Sequence, residues 1–520
     1  MLAENCCMTT PATPKDAAAV ILLRPGTDPA NPEVFWARRG AKMVFGGFHA
    51  FPGGQRDATD ADVPVRFKVQ SSKCKVQNPP SDAMIACAAR ELFEELGVLV
   101  ARGAETLTVG QRASVLDDLT SGRMTWPELL AHYGLELDAA DFTFAGRWVT
   151  PPFAPRRFDT WFFLVRCPPK QQPNPKDGGE LEAGEWIAAS EAVKRWERAE
   201  VVIVPPILHG LKTVSNGLTD DMTERFLSLP QAHGEVPRRI EFRPGFLCFP
   251  VRTPTKPPAT HTNCYLVGGG EFVVIDPASP YEDEQIALAQ CVDDFLAEGR
   301  ELREIILTHL HPDHVGGANA LRQHLGGNVP LAAHRLTAEA LGHAIPVDRL
   351  IEDEELITLR GWDYIPTLTL RALHTPGHAR GHLCFYEEAT GALITADNIV
   401  GLGSVLIDPP EGNMRDYLAS LARMRALPYL TILLGAHGPI IATPHAKIDE
   451  YIAHRLEREA NILCAIQAGA NTIAAIVTEV YTDVHPKALP MAERAVLAHL
   501  EKLQNDGAVR LDATDVYFAV

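Results

Sequence analysis

The residues best equipped for chemistry sit in the segment 308–317, T-H-L-H-P-D-H-V-G-G. His309 and His311 are separated by one residue, so in an extended stretch both rings face the same side. Asp313 and His314 then turn the corner opened by Pro312 and closed by Gly316 and Gly317. Neutral imidazole and carboxylate are zinc ligands, and two donor pairs at this spacing can hold two ions. The plainer alternative is a His-rich surface turn. A metal pair needs more donors than one loop supplies, and later segments offer them. His378 lies in H-T-P-G-H, Asp397 follows the run 392–396, and His437 lies in L-L-G-A-H-G-P. Each ends a strand-like run, which is where functional groups collect in α/β sheets. A second cluster is acidic. Ser81 reads as the N-cap of a helix that has Asp82 in its first turn and Gly97 as its stop. Within it Glu91, Glu94 and Glu95 stand at i, i+3 and i+4, where three carboxylates repel one another unless a cation sits among them. A solvated acidic face is the alternative.

The His and Asp residues, in this order, resemble the metallo-β-lactamase superfamily, over residues 240 to about 454 with all seven ligand positions present. The resemblance implies a four-layered αββα sandwich with a dinuclear centre. His309, His311 and His378 would hold one ion, Asp313, His314 and His437 the other, and Asp397 would bridge them. Two Zn²⁺ are expected, with Fe²⁺ or Mn²⁺ as alternatives because His/Asp sites accept all three. The implied reaction is hydrolysis of an ester, thioester, lactone or phosphodiester by a metal-bound hydroxide, with Asp313 in a catalytic role. Asp276, ending F-V-V-I-D-P, matches the superfamily's first motif and is expected to brace the metal loop. His374 and His382 bracket His378 away from ligand positions. We expect His374 to support the ligands and His382 to meet substrate.

The acidic helix carries R-E-L-F-E-E-L-G-V at 90–98, which resembles the second half of the Nudix box, with Asp82 at the position of the box's first glutamate. The resemblance implies an α/β/α sandwich that cleaves nucleoside-diphosphate-linked compounds. Glu91, Glu94 and Glu95 would bind Mg²⁺ or Mn²⁺, Glu94 would be catalytic, and Arg90 would pair with Asp82. The box's opening glycine is missing at the expected distance from Asp82. The nearest is Gly54, so an insertion that includes the polar stretch 70–80 interrupts the box. F-P-G-G at 51–54 and T-P-P-F-A-P-R-R-F-D-T-W-F-F at 150–163 resemble the Nudix branch that includes coenzyme A diphosphatases. Arg156 and Arg157 would be phosphate contacts there, since guanidinium forks match phosphate geometry.

These groups are spread over 520 residues, a length that suggests about two to four domains. The expected organisation is a disordered 1–15, a Nudix-like domain with a helical extension over 16–235, a metallo-β-lactamase-like domain over 236–450 and a winged-helix-like tail over 451–520. The fold class is thus α/β multidomain. The tail's three helical runs and terminal hairpin resemble the winged helix of one metallo-β-lactamase branch, some members of which are RNA endonucleases. An RNA-processing role is therefore the alternative to small-molecule hydrolysis. The would-be recognition helix sets Glu493 and Glu501, with Asp506 beyond, against Arg494 and Lys502. That balance favours a lid or a homodimer contact over duplex binding, which needs surplus cations. The net charge of -18 also disfavours nucleic acid as partner. A small molecule, a coenzyme A ester or a nucleotide, is expected instead. No run reaches the roughly 18 apolar residues of a membrane span. Ten cysteines without C-x-x-C pairs read as reduced thiols, and the chain is expected in the cytoplasm.

Overall fold

The structure, a computed structural model, describes residues 11–520 apart from 27–30, 42, 44, 67–78, 177–178 and 483–484. Residues 1–10 of the start expected to be disordered and most of the 70–80 insertion lie outside the described residues, whereas Lys15, the last residue of that start, already belongs to the first strand. The chain divides into two compact units, Pro11–Pro244 and one beginning at Gly245 and running to Val520.

In the first unit the apolar run 17–23 forms the heart of strand Lys15–Arg24, with every residue of the run buried. Burial on both faces is what a continuous apolar run requires, in contrast to a half-solvated alternating strand. The seven-stranded sheet runs His49–Ala50, Glu33–Arg39, Lys15–Arg24, Phe158–Arg166, Thr143–Val149, with Gly53–Gln55 paired to Lys15–Arg24 and Leu181–Ala188 to Glu33–Arg39. Lys15–Arg24 and Phe158–Arg166 are parallel, Ala18 opposite Trp161. Helix Asp82–Leu96 buries Met84, Ile85, Leu92, Phe93 and Leu96 in one core with Val20, Leu22 and Phe163. That packing leaves its glutamates on the other side. Ser81 occupies the N-cap without a side-chain hydrogen bond, and Gly97 closes the helix at φ 66°, its N–H donating to Phe93 O.

In the second unit one sheet carries, in order, Phe246–Arg252, His261–Gly268, Glu271–Ile275, Glu301–Leu307, Leu331–Ala333 and Arg349–Leu350. A five-stranded sheet follows: Leu356–Leu359, Leu368–His374, Leu383–Glu387, Ala392–Ala396, Ile432–Gly435. Helices Glu282–Ala297 and Ala318–His324 share a core with the first sheet. Met414–Arg425 and the start of Pro444–Gln467 do so with the second. The two sheets are tied by Asn263 Nδ2 and Tyr265 OH, which both donate to Gly435 O, at 2.9 and 2.7 Å. Helix Pro444–Gln467 is continuous through residue 450, and its later residues Ile462 and Ile466 join Ile476, Val496, Leu500, Val509 and Tyr517 in the core of the tail. The tail adds helices Ile473–Val480 and Leu489–Asn505 and a hairpin of Val509–Leu511 with Tyr517–Ala519. Among the described residues no helix is long and apolar enough to cross a membrane.

Candidate metal centres

Strand Glu301–Leu307 is buried at its end and delivers Thr308, His309 and the short helix Pro312–Val315 to the lip of the sheet. The second sheet delivers His378 from the loop after Leu368–His374, Asp397 directly after Ala392–Ala396, and His437 after Ile432–Gly435. Gly377 is required in the first of these loops. Its φ is +128°, and a Cβ there would meet Tyr417 N at 2.2 Å.

The seven residues converge. His309 Nε2 and His378 Nε2 each lie 3.0 Å from His311 Nδ1. Asp397 Oδ2 is 3.5 Å from His378 Nε2, and its Oδ1 is 3.4 Å from His314 Nε2 and 3.2 Å from His437 Nε2. Asp313 Oδ2 is 3.6 Å from His437 Nε2. His309, His311, His378 and Asp397 thus form one group of donors and Asp313, His314 and His437 another, with the two Asp397 oxygens turned to different groups.

The outer ring nitrogens are committed elsewhere. His378 Nδ1 faces Leu406 O at 2.9 Å, His437 Nδ1 faces His261 O at 2.9 Å, and His314 Nδ1 faces Asp276 Oδ2 at 2.8 Å. Such outer partners fix the tautomer and point the inner lone pair inward. Asp276, at φ 52°, also accepts from Thr308 N and Thr308 Oγ1, at 2.8 and 2.7 Å.

The electrostatics suit a cation. Burial first, then His314 and His311, hold His309 well below the ordinary imidazole range. Burial likewise lowers His311 and takes His378 to about 4. Neutral imidazole is the ligating form. Burial also lowers His314 and His437, but the carboxylates around them together outweigh it and raise both, Asp397 with Asp276 at His314 and Asp397 with Asp313 at His437. Burial pushes Asp397 up, and His437 and His314 overcome it to hold the carboxyl well below its usual value. Burial pushes Asp313 up too, yet His314 and then His437 bring it below the ordinary carboxylate. His314 Nε2 and Asp397 Oδ1 are buried without a hydrogen-bond partner among the described residues. Inward lone pairs, converging carboxylates and orphaned donors are the chemistry of a divalent-metal site.

A cavity of about 680 Å³ opens onto this cluster, lined by His311, Asp313, His378, Asp397 and His437. The loop 254–259 lines it too, with Thr255 Oγ1 3.4 Å from His437 Nε2. Arg455 and Arg458 of helix Pro444–Gln467, Tyr481, and Met491, Ala492 and Ala495 of helix Leu489–Asn505 also line it. Sequence reasoning misses these wall residues, since nothing in their spacing marks them.

His382, expected to meet substrate, does not line the cavity. It is completely buried, its ring centroid 5.1 Å from that of His309, with Nδ1 facing Thr375 Oγ1 at 3.2 Å. The apolar strand Leu383–Glu387 that follows draws it inward behind the cluster. His374 does not support the ligands directly. It stacks on His334 at 4.0 Å, and its Nε2 faces Arg380 O at 2.8 Å.

The first unit brings its own carboxylates together. Glu95 Oε2 accepts from Gly53 N at 2.7 Å, and Arg90 Nη1 donates to Glu91 Oε1 and Glu94 Oε2, both at 2.9 Å. Burial pushes Glu91 up to about 7, Glu95 up to about 8, and Glu94 upward as well. Crowded, poorly solvated carboxylates offer the hard oxygen set that Mg²⁺ takes. Gly54 makes room for them, because a Cβ there would sit 2.5 Å from Glu91 Oε2. Glu91, Glu94 and Arg156 line a cavity of about 540 Å³ with Phe45, Phe48, Phe51, Trp148 and Phe153.

Two expectations fail here. Arg90 does not pair with Asp82, which is exposed at the helix start. Its Nε and Nη2 donate to the completely buried Asp60, at 2.9 Å each. The spacing of Gly54 to Asp60 is the spacing expected between the box's glycine and its first acid, so the insertion falls after the acid and not before it. That spacing is the signal available in the sequence. Arg157 is a brace, its Nε donating to Thr150 O at 2.9 Å and its Nη1 to Ala12 O at 3.0 Å. Only Arg156 of the pair reaches the cavity.

Comparison with known proteins agrees with this architecture. Residues 61–214 match the family described as NUDT19 Nudix domain, 257–437 the Metallo-beta-lactamase superfamily, and 472–515 the Beta-lactamase associated winged helix domain. The Beta-lactamase-like protein 2 homolog of Caenorhabditis elegans is 28% identical over 251 residues, 48% of this chain and 80% of that protein. Lactamase-like protein adaB of Aspergillus niger is 31% identical over 240 residues, 43% of this chain and 68% of its own. Atrochrysone carboxyl ACP thioesterase AgnL7 of Paecilomyces divaricatus is 30% identical over 260 residues, 48% of this chain and 76% of its own. The chain therefore belongs to the metallo-β-lactamase superfamily and combines that hydrolase domain with a Nudix domain and a winged helix.

Proposed function

We propose that the second unit hydrolyses an acyl thioester at a dinuclear metal centre, and that the Nudix unit opens the pyrophosphate of a coenzyme A-like compound. The observation that carries the first reading is the position of Asp397, whose two oxygens face two separate sets of inward-pointing imidazoles. His309, His311 and His378 would hold one ion, and Asp313, His314 and His437 the other, with Asp397 shared. Two such ions supply Lewis acidity at the carbonyl and lower the pKa of water. The chain does the rest. Asp276 holds His314 and Thr308 in register, and His261 O and Leu406 O keep His437 and His378 from turning. Asp313, whose carboxyl is held below its usual range, can take a proton from an attacking water at whichever oxygen the ion leaves free. The thioesterase named among the relatives supports the choice of substrate class.

In the Nudix unit Glu91, Glu94 and Glu95 would hold Mg²⁺, while Arg156 meets phosphate and the aromatic wall takes an apolar group. Acyl-coenzyme A has a group for each site. The RNA-processing alternative has less support, because the cations of helix Leu489–Asn505 are engaged within the chain. Arg494 pairs with Asp408, and Lys502 with Glu459 and Asp506.

The test incubates purified, metal-loaded protein with acyl-coenzyme A and follows free thiol and 3',5'-ADP separately. Asp313→Ala should abolish thiol release and Glu94→Gln should abolish 3',5'-ADP release. Failure of the wild-type protein to release thiol from any acyl thioester would remove the thioesterase reading.

A further inference from the structure

Outside the metal donors, the lining of this cavity has a charge pattern that thioester hydrolysis alone does not explain. Arg455 is 5% exposed and lines the cavity. Its Nη2 donates to Val405 O and, at 3.2 Å, to Ser404 Oγ, while its Nε has no partner among the described residues. One helical turn on, Arg458 also lines the cavity, spending Nη1 on Val480 O at 2.6 Å with its guanidinium 4.2 Å from the Tyr481 ring centre. Lys256 approaches from the loop 254–259. None of the three is paired with a carboxylate among the described residues. The acids on the lining away from the cluster are engaged, Asp408 with Arg494 and Glu411 with the Arg380 N–H. A buried guanidinium without a counter-charge is costly unless an anion meets it. The same lining includes apolar Val405, Leu406, Met491, Ala492 and Ala495 alongside polar Ser404 and His454.

We infer that Arg455 and Arg458, with Lys256 at the entrance, form an anion subsite that selects substrates carrying a carboxylate or phosphate at a distance from the scissile acyl bond. The apolar residues of the lining take the intervening chain, and the guanidinium forks take the anion. The inference rests on the thioesterase reading and specifies its substrate class. It also assigns the winged helix a task, since Tyr481, Met491, Ala492 and Ala495 line the same cavity as these cations.

The experiment compares hexanoyl and adipoyl thioesters of N-acetylcysteamine, which carry no phosphate, and hexanoyl-phosphopantetheine, whose only anion is on the carrier. A preference for the adipoyl compound places the anion on the acyl chain, and a preference for the phosphopantetheine compound places it on the thiol. Arg458→Gln should reduce whichever preference exists roughly tenfold, through KM more than kcat, as expected for loss of one charge-assisted hydrogen bond. Lys256→Gln, at an exposed position, should reduce it less and provides a variant free of folding risk. Equal kcat/KM for all three compounds in the wild-type protein would overturn the subsite and leave the thioesterase reading intact. If no thioester is cleaved, calorimetry of adipate against hexanoate on the metal-loaded protein decides separately. Phosphopantetheine is titrated alongside; tighter binding of adipate or of phosphopantetheine than of hexanoate that Arg458→Gln abolishes supports the subsite, and no effect of Arg458→Gln on any of the three overturns it.

Discussion

Asp276 Oδ2 accepts from His314 Nδ1 at 2.8 Å, and the same carboxylate accepts from both Thr308 N and Thr308 Oγ1. One side chain at the end of a neighbouring strand thus sets both ends of the metal-bearing loop. Asp276→Asn keeps the shape, and Asn tolerates the left-handed backbone at this position. It should fold normally but lower metal affinity about 10–100-fold, the usual effect of losing an outer partner of a ligating histidine. Competition titration against a chromophoric chelator measures this directly, and an unchanged affinity would show that Asp276 does not orient His314.

Removing single donors should have unequal effects. Asp397 faces both groups of imidazoles, whereas His437 belongs to one. Asp397→Ala should therefore empty both positions, and His437→Ala should spare the ion held by His309, His311 and His378. Elemental analysis after gel filtration in metal-free buffer distinguishes them. Equal metal content in the two variants would contradict the bridging geometry.

The buried pair Arg90–Asp60 predicts a contrast between two acids. Asp60→Ala removes the bidentate partner of a buried guanidinium that keeps Glu91 and Glu94, and should destabilise the first unit by ~1.5–3 kcal/mol. Asp82→Ala, at an exposed position, should leave stability unchanged. Denaturant melts followed by the fluorescence of tryptophans in that unit report the difference, and the reverse ranking would restore Asp82 as the partner.

Glu91 and Glu95, raised to about 7 and about 8 from an ordinary 4.5, make the metal-free first unit sensitive to pH. The folded state keeps protons that the unfolded chain has already lost. The contribution of these groups is therefore fully present below 4.5 and is lost as pH rises through their folded values. Hydrogen exchange in helix Asp82–Leu96 should accelerate over that window in chelator, and Mg²⁺ should reverse the trend by stabilising the ionised carboxylates. Exchange that slows with rising pH, after correction for intrinsic rates, would argue against the buried carboxylate cluster.

Much of this architecture is legible in the order of the residues alone. Ligand spacing on strand ends is a local pattern, so His309, His311, Asp313 and His314 declare themselves, and the later donors follow from the need to complete a site. Helix Leu489–Asn505 and the hairpin after it are equally readable, because apolar periodicity reports local packing. Contacts across long sequence gaps are not. Arg90 and Asp60 are 30 residues apart, and choosing Asp82 because it sits at the customary distance gives the wrong partner. His382 reads as available because it is polar and near His378, but the burial of the strand that follows it decides its place. Arg455 and Arg458 look like ordinary charges on a helix, and only the tertiary arrangement turns them toward a cavity.

The helices after residue 443 wall the metal cavity but supply none of its metal donors. On the proposed reading, reactivity and part of the selectivity are therefore carried by different stretches of polypeptide. Evolution can exchange one clientele for another by rewriting the tail, leaving the reactive machinery in place. Conversely, on the same reading a protease that clips the tail would weaken discrimination before it reached the groups that break bonds.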